Sequence, residues 1–413
     1  MQAPPLPRPG TLDYNLAEVD LDALRHNYAA LADFAGDRPL MAVVKGDAYG
    51  HGLAESAAAL CEAGATRFGV LDAREGADLR KSGKVKGEIW VLAGLTSDLQ
   101  ISAAVRADLS AFVYSTEQLL GIASAAAKET RRIKVFLKLD TGMSRLGVPW
   151  NMADDFLSLA AENPHLEVQG LATHLATLGN APATGQLSRF WAARGLAESI
   201  FRRPLALSAL SGGGMLAHPD FPDGLSRPGL LLYGAVPALS PGPRNRLPPP
   251  WNPSASIAPP LLESQELALP EASLACAAAL RPVMRVTSRV IQVKTVRRGE
   301  TVSYEGIYKA QKNLRVAVLP FGYVHGLQTS RSGKCAALIR GKIVPQIGRV
   351  CMNLSVYDAD SIPLVQAGDE AVLLGCQGDL RIGPEGAGGE GLSPYETLCC
   401  LGRLNARRYS GRR

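Results

Sequence analysis

Several features that mark whole classes of protein are missing from this sequence. No uninterrupted apolar segment reaches about 18 residues, so no membrane-spanning helix is expected. The first ten residues, MQAPPLPRPG, lack the charged-then-apolar pattern of a signal peptide. Cysteine is scarce: the seven thiols are scattered, with no C-x-x-C pair and no metal-ligand spacing. These absences predict reduced thiols, a cytoplasmic protein and no metal site.

A strong charge of one sign is also lacking. The net charge of +6 is modest for 413 residues, and the basic residues are dispersed except in the final segment RLNARRYSGRR. That segment is not interleaved with aromatic residues as nucleic-acid-binding segments are, so a solvated terminus is expected rather than a nucleic-acid partner. With 46% hydrophobic residues, the chain has ample material for a core.

What is present is a repeated alternation of strand and helix patterns. A helix is expected after Asp20, with Leu21, Leu24, Tyr28 and Leu31 on one face. Short apolar runs separated by Ala-rich amphipathic stretches then predict eight strands, at residues 39–45, 67–72, 88–94, 109–115, 133–140, 167–174, 205–211 and 229–234. This pattern predicts an α/β fold with an N-terminal (β/α)8 TIM-type barrel, and an open doubly wound sheet is the alternative.

Changes in local composition and in secondary-structure pattern divide the chain into three parts. The barrel is predicted over residues 13–237, where it would form the ligand-binding part. Residues 238–280 are dense in Pro and Ser and are interpreted as an insert or linker. Residues 281–413 are dominated by strand patterns and are predicted to form a mostly-β domain, with residues 1–12 as a candidate for pairing with it.

Reactive side chains fall at the carboxyl ends of the predicted strands, where barrel enzymes carry their chemistry. Lysine closes the first strand in AVVKGDAYGHG, and a lysine there would be partly desolvated, with a lowered pKa and a nucleophilic amine. Such an amine suits Schiff-base formation, most often with pyridoxal phosphate. The glycine run SGGG and the following RPGLLLYG offer backbone N–H groups where this fold binds phosphate. The strand-end residues are Lys45, Lys138, Asp140, Arg145, His174 and Ser211.

At these residues the sequence resembles the fold-type III alanine racemases. The resemblance rests on AVVKGDAYGHG, KLDTGMSRLGV, THLAT, SRPGLLLYG, GETVSYEGIY, LPFGYVHG and GRVCMN, which occur in the family's order over most of the chain. It implies a homodimer that interconverts L- and D-alanine, a peptidoglycan precursor, at an active site shared between subunits. The cofactor it implies is pyridoxal 5'-phosphate.

The resemblance also implies residue roles. Lys45 would hold the cofactor covalently and act as the base on one face of the substrate, and Tyr304 of the partner subunit would act on the other. Arg227 would hydrogen-bond the pyridine nitrogen, which weakens the electron sink and disfavours decarboxylation. The remaining cofactor contacts implied are Tyr49, His174, Ser211, Gly212, Gly229 and Leu230. The implied substrate contacts are Arg145, Tyr323, Met352 and Asn353, with Lys138 supporting Arg145.

The chain departs from the family pattern in ways that leave its substrate open. Ser211-Gly212 stands where Asn-Ser is common, Asn353 where Asp is usual, and Glu305 replaces a usual Gly beside Tyr304. A serine racemase or a broader amino-acid racemase is therefore an alternative, and a decarboxylase of the same fold is a more distant one. Carbamylation of Lys138, a biosynthetic or catabolic role, and the role of the Pro-rich insert are left open.

Overall fold

The first elements are a strand and a capped helix. The computed structural model describes residues 14–178, 180–222, 224–236, 269–384 and 393–411. Strand β1 (Leu16–Asp20) leads into helix α1 (Leu21–Ala35), where the Asp20 carboxylate accepts the N–H groups of Asp22 and Ala23 at 2.9 and 3.0 Å. The expected apolar face of α1 is confirmed, since Leu24, Tyr28 and Leu31 are buried and Leu21 packs partly buried against the core.

A parallel sheet follows, and its strands agree with seven of the eight predicted ones. It runs in the order β2 (Ala42–Val43), β3 (Arg67–Val70), β4 (Glu88–Val91), β5 (Ser110–Val113), β6 (Ile133–Asp140), β8 (Leu166–Ala172) and β9 (Ala206–Ser208), with β7 (Val148–Pro149) beside β6. Residues 225–228 bridge β9 back to β2: Arg227 N–H donates to Leu210 O at 2.9 Å, and Met41 N–H donates to Ser226 O at 2.8 Å. The barrel predicted from the sequence is therefore confirmed.

The predicted eighth strand, residues 229–234, is wrong. Residues Leu230–Tyr233 form a buried turn of 3₁₀ helix, which ends at Gly234 with φ +73°. Two hydrogen bonds of this turn involve side chains and not the backbone ladder of a sheet. The Asn27 side chain donates to Leu232 O at 2.9 Å, and the Tyr233 hydroxyl donates to Val43 O at 3.1 Å. A short apolar run does not distinguish a buried strand from a buried helical turn, and here the closing position belongs to residues 225–228.

Helices connect the barrel strands and begin at capping side chains. Asp72, Ser97 and Ser115 each accept the N–H group of the residue three positions later. The helices are α2 (Leu53–Glu62), α3 (Ala73–Lys81), α4 (Asp98–Arg106), α5 (Thr116–Lys128), α6 (Asp154–Glu162), α7 (Asn180–Phe201) and α8 (Gly212–Ala217). None of the helices in the described ranges combines the length and the apolar character needed to cross a bilayer.

The barrel interior contains an aromatic cluster. The rings of Trp90, Phe112 and Phe136 lie 5.1 to 5.9 Å apart, in a small apolar group with Met41 and Leu225. Pairs of this kind contribute about 0.5–1.5 kcal/mol each beyond the burial of their area. The cluster fills the barrel beneath the ends of the strands that carry the polar site.

The second part of the chain is rich in strands, as predicted. This part is preceded by helix α9 (Glu271–Ala279), which lies in the described part of the Pro-rich segment. It contains helix α10 (Pro394–Arg403). The strands are β10 (Met284–Arg289), β11 (Gln292–Val296), β12 (Thr301–Val302), β13 (Tyr308–Lys309), β14 (Leu314–Leu319), β15 (Ala336–Ile339), β16 (Lys342–Ile347), β17 (Ser355–Asp358), β18 (Glu370–Gln377), β19 (Leu380–Ile382) and β20 (Ala406–Ser410).

The two ends of the described chain meet in this second sheet. Its order is β11-β14-β17-β16-β15-β18-β10-β1-β20, with β19 beside β18, and β12 pairs with β13 in a separate hairpin. Strand β1 lies antiparallel to β10 and parallel to β20, although its residues fall in the range expected for the barrel. Residues 1–12, the candidates for pairing with this sheet, and residues 238–268 of the Pro-rich segment lie outside the described residues.

Candidate active site

The lysine that closes the first barrel strand leads into an unusual turn. In the lysine turn (Lys45–Tyr49), four successive residues are left-handed: Gly46, Asp47, Ala48 and Tyr49 have φ of +67°, +58°, +54° and +54°. Glycine adopts this conformation freely, whereas each other L-residue costs about 1–2 kcal/mol. Such strain persists only where the surroundings hold it, and it marks this turn as a functional candidate.

Hydrogen bonds from both parts of the chain hold the lysine turn through Asp47. Its N–H donates to Glu75 Oε1 at 2.9 Å, and its Oδ1 accepts the Leu53 N–H at 2.8 Å. Its Oδ2 pairs with Arg407 of strand β20. The turn that carries Lys45 is therefore fixed between the barrel and the second sheet.

Basic side chains from separate barrel loops gather around Lys45. The pKa of Lys45 is lowered mainly by burial, and further by the positive charges of Arg145 and Arg227. Burial and the same two guanidinium groups lower the pKa of Lys138 to about 8 and that of His174 to about 3. The pocket is thus electropositive, with a neutral imidazole and amines that lose their protons readily, and it suits an anionic ligand such as a phosphate or a carboxylate.

Arg227 is a buried cation with a full set of neighbours. Its guanidinium donates to the Ser208 hydroxyl, to Thr173 O at 2.8 Å and to Ala209 O at 3.4 Å. It also lies 5.7 Å from the centre of the Phe112 ring, against the aromatic cluster. A guanidinium held in this way stays charged, so whatever group it faces receives a hydrogen bond but no proton.

The loops that carry Arg145 and His174 are shaped by side chains. Asp140 Oδ1 accepts three backbone N–H groups, from residues 142, 143 and 144, at 2.8 to 3.1 Å. Gln186 of α7 donates to His174 O at 3.1 Å, and its Oε1 accepts the Ala176 N–H at 2.8 Å. Sequence reasoning missed Gln186, because its partners are brought together only by the packing of α7.

At the other side of the lysine turn, tyrosines and glycines form a tight cradle. The Tyr49 ring lies 5.0 Å from Tyr233 and 6.1 Å from Tyr395 of α10. A Cβ added to Gly229 would stand 2.3 Å from the Tyr49 hydroxyl. Backbone N–H groups at the start of α8 and of the 3₁₀ turn belong to the same region, because Ser211, before α8, forms a parallel β-bridge with Arg227, shortly before the 3₁₀ turn. The predicted residues here are Tyr49, Ser211, Gly212, Gly229 and Leu230.

Two further residues from α10 belong to the site and were not predicted. Tyr395 lies against Tyr49, and the thiol of Cys399, whose pKa is raised by burial, is close enough to Lys45 to influence it electrostatically. A Cβ added to Gly50 would approach Leu398 O to 2.5 Å, so α10 packs directly on the end of the lysine turn. The segment SPYETLCC predicts a capped helix, but no local pattern connects it with Lys45.

The other predicted residues form a second group on the β-rich part. Tyr323 N–H donates to Cys351 O at 3.1 Å, and Ser303, next to Tyr304, has its hydroxyl 3.2 Å from Cys351 Sγ. The predicted residues brought together here are Tyr304, Tyr323, Met352 and Asn353. Tyr304, Tyr323 and Met352 are 68%, 41% and 57% exposed, and within the described ranges Tyr304 has no hydrogen bond or ring contact with the lysine group.

Comparisons with known proteins give one consistent result. The family described as "Alanine racemase, N-terminal domain" matches residues 19–237, and "Alanine racemase, C-terminal domain" matches residues 283–409. An alanine racemase from Nostoc sp. is 34% identical over 372 residues, which cover 88% of this chain and 87% of that protein. One from Geobacter sulfurreducens is 34% identical over 407 residues, which cover 95% of this chain and 96% of that protein.

Solved structures show the same similarity. Alanine racemase from Streptomyces lavendulae superposes with a TM-score of 0.81 at 30% identity, covering 97% of this chain and 98% of that chain. A Bartonella henselae alanine racemase with covalently bound pyridoxal phosphate has a TM-score of 0.79 at 22% identity, covering 96% of this chain and 100% of that chain. At that identity, the second comparison supports the fold alone.

Proposed function

The chain belongs to the alanine racemase family of isomerases, and from this premise we propose that it interconverts L- and D-alanine with pyridoxal 5'-phosphate as its cofactor. The observation that carries the proposal is Lys45, a strand-end lysine whose pKa is lowered by burial and by two guanidinium groups. A lowered pKa increases the unprotonated fraction of this amine, and the unprotonated amine is the form that attacks a carbonyl.

The residues of the pocket fit a phosphorylated pyridine aldehyde. Glycine at position 229 leaves room for the Tyr49 hydroxyl, and a side chain there would fill the space beside it. The cluster of cations around Lys45 supplies the charge that a phosphate and a substrate carboxylate require. Both the covalent anchor and the anion-binding region are therefore present in one barrel mouth.

Each cofactor contact has a chemical basis in its side chain or backbone. Lys45 Nζ would hold the group covalently, and Arg227 would donate a hydrogen bond to its ring nitrogen. His174, kept neutral by burial, would lie against the ring. The phosphate would be bound by the remaining group of hydroxyl and backbone N–H donors, which consists of Tyr49, Ser211, Gly212, Gly229 and Leu230.

Racemisation needs two proton-transferring groups on opposite faces of the α-carbon. Pyridoxal phosphate, when bound, supplies an electron sink that stabilises the charge left at that carbon. We assign Lys45 Nζ to one face and Tyr304 Oη of the partner subunit to the other, so that one atom takes a proton while the other returns one. Arg227 keeps its protons, which favours simple return of the α-proton over competing reactions.

The substrate would be held by residues from both groups. Arg145, exposed at the mouth of the barrel, would bind its carboxylate, with Lys138 as support. Tyr323, Met352 and Asn353 of the partner would line the approach to the site. A homodimer is proposed because all four residues in the second group are exposed in one chain and need a partner to reach a lysine site.

The proposal also covers the cellular compartment of the protein and the division of its chain into domains. All seven cysteines are free thiols, which supports a reducing, cytoplasmic compartment. We also propose a cofactor-binding barrel over 13–237, from which strand β1 leaves to join the second sheet, a connecting segment over 238–280 and a β-rich part over 281–413, with residues 1–12 as a candidate for pairing with that part.

The test combines spectroscopy with product analysis on the purified dimer. Absorbance is recorded before and after borohydride reduction, the modified peptide is mapped, and L-alanine and L-serine are followed on a chiral column. We expect reduced cofactor on Lys45 and D-alanine as the main product. Lys45→Ala should abolish both, whereas Lys134→Ala, at the opposite end of strand β6, should retain both. Release of CO₂ at a rate comparable to isomerisation would overturn the proposal.

A further inference from the structure

Tyr304 lies in a strained turn and is placed by its neighbours. Ser303 and Glu305, on either side of it, have φ of +65° and +61°, a conformation that L-residues rarely adopt. The Tyr304 side chain is 68% exposed and has no hydrogen bond or ring contact within the described part of the chain. The direction of its hydroxyl therefore depends on how this turn is held.

One residue, Arg349, holds both neighbours of Tyr304. Its carbonyl oxygen accepts the Ser303 hydroxyl at 2.7 Å, and its guanidinium pairs with the Glu305 carboxylate. The first contact fixes the residue before the tyrosine, and the second fixes the residue after it. Arg349 thus connects the tyrosine turn to the segment that also carries Met352.

Close backbone packing keeps this connection short. Gly348 has φ +71°, and a Cβ there would stand 2.6 Å from Val302 O and 3.1 Å from Ser303 Cβ. The segment before Arg349 therefore lies directly against the strand that leads into the tyrosine turn. The Arg349 and Glu305 side chains are 35% and 64% exposed, and exposed ion pairs add little to folding stability. A role in local geometry accounts for the pair better than a role in stability does.

We propose that Glu305 and Arg349 are positioning residues that direct the Tyr304 hydroxyl toward the substrate of the partner subunit. The inference rests on the proposed function and deepens it. Loss of the ion pair leaves the turn free to relax from its left-handed conformation, which moves the hydroxyl away from its acceptor. Steps that need only Lys45 then continue, while inversion, which needs both bases, slows.

The experiment separates these two kinds of step. Holoenzyme dimers carrying Glu305→Gln, Arg349→Gln or the charge-exchanged pair Glu305→Arg with Arg349→Glu are incubated with each alanine enantiomer in D₂O. Deuterium at the α-carbon is measured by mass spectrometry, and inversion is measured by chiral chromatography. Asp360→Asn, which breaks the exposed Lys312–Asp360 pair of the same part, is the matched control.

We expect each single variant to raise the ratio of exchange to inversion by roughly tenfold to a hundredfold, because small displacements of a catalytic group have effects of this size. The charge-exchanged pair should restore the ratio, and the control should not change it. A wild-type ratio in both single variants would overturn the inference. The inference would also be overturned if the charge-exchanged pair did not restore the ratio and had a lowered melting temperature.

Failure of this inference is distinguishable from failure of the proposed function. If Tyr304→Phe slows inversion while Glu305→Gln does not, the two-base assignment stands and only the positioning role is refuted. If Tyr304→Phe keeps wild-type inversion, the assignment of Tyr304 is refuted and the positioning role with it.

Discussion

At the scale of single residues, the site depends on basic groups held in a less charged state than water would favour. Burial and neighbouring cations lower the pKa of Lys45, of Lys138 to about 8 and of His174 to about 3. An amine and an imidazole that give up protons easily are useful for covalent binding and for proton transfer. The same burial makes the His174 imidazole a source of instability in acid, because its folded-state pKa lies below its unfolded one.

Replacing Tyr304 by Phe removes one proton-transferring group and little else. The side chain is exposed, so folding should be unaffected, and the racemisation rate should fall by about 10²- to 10⁴-fold. The measurement is the rate of D-alanine formation from L-alanine, with the cofactor absorbance as a check that binding is retained. Racemisation at the wild-type rate would contradict the two-base assignment.

The buried His51 predicts a loss of stability in acid. Its ring stacks on Tyr233 at 4.4 Å, Nδ1 lies 2.9 Å from Ala48 O, and burial lowers its pKa to about 4. The unfolded chain takes up a proton below about pH 6.5, whereas the folded chain does not until about pH 4. This stabilisation is therefore complete above 6.5 and is lost as the pH falls toward 4, by on the order of 3 kcal/mol.

Urea unfolding at several pH values between 8 and 4.5 checks this prediction. His51→Asn should make the fall in stability with decreasing pH less steep, even if the variant is less stable overall. His165→Asn, in the loop before strand β8, should leave the steepness unchanged. An equally steep fall in the His51 variant would show that other groups cause the acid sensitivity.

Sequence patterns located the strand-end residues because their positions follow from a local rule. Lys45, Lys138 and His174 lie together since the ends of parallel strands meet at one mouth of a barrel, whereas Arg227 was implied only by the family resemblance. Their catalytic and binding roles remain predictions. Tyr395 and Gln186 could not be found in this way, because each reaches the site by the packing of a helix that has no chemical motif.

At the scale of elements, the lysine turn offers a matched comparison between two glycines. Both have positive φ, +67° at Gly46 and +86° at Gly50. A Cβ at Gly46 meets no atom within 4 Å, whereas one at Gly50 would stand 2.5 Å from Leu398 O of α10. Gly46→Ala should therefore cost about 1–2 kcal/mol of unfolding free energy from conformation alone.

Gly50→Ala should cost more than Gly46→Ala, because α10 must also move away from the turn. Equilibrium urea unfolding of both variants, with far-UV circular dichroism as the signal, measures the difference. Equal losses of stability would show that the contact with α10 relaxes freely, and that the two parts of the chain do not depend on this close approach.

The elements were predictable where a local pattern identifies them and not where long-range contacts decide. Helix α1 follows from apolar periodicity, and seven barrel strands follow from short apolar runs between amphipathic stretches. Residues 229–234 were mistaken for a strand because three consecutive leucines have no period. The left-handed conformation of Asp47, Ala48 and Tyr49 opposes their own preference, and it is held by contacts of Asp47 with Glu75 and with Arg407 of the second sheet.

At the scale of the whole molecule, Lys45 and Tyr304 belong to two groups, and within the described residues Tyr304 makes no hydrogen bond or ring contact with the group around Lys45. If each site combines one group from each subunit, two inactive proteins can restore activity to one another. Lys45→Ala and Tyr304→Phe dimers, mixed, unfolded and refolded together, should regain about a quarter of wild-type activity, because half of the random dimers are mixed and each of these has one complete site.

Refolding either variant alone is the control, and it should yield no activity above the background of that variant. Activity that remains at background in the mixture, while sedimentation shows dimers, would mean that each site is built within one chain. An active species that sediments as a monomer would contradict the shared site as well.

The meeting of β1 with β20 was beyond what the sequence could predict. The pattern in LAEVD identifies a strand, but it does not say which sheet the strand joins. The partners, β10 and β20, lie about 270 and 390 positions further along the chain. Only the assembled molecule shows that a strand preceding the barrel completes the other sheet.

That placement of β1 has a consequence for how the protein is made. The strand leaves the ribosome before the barrel does, yet both of its neighbours in the sheet are translated after the entire barrel. Until then its edges are open to pairing with other chains. A polypeptide released before residue 406 would keep at least one such edge and would lack Arg407, which pairs with Asp47 of the lysine turn, so we expect incomplete translation products to aggregate more readily than the full chain.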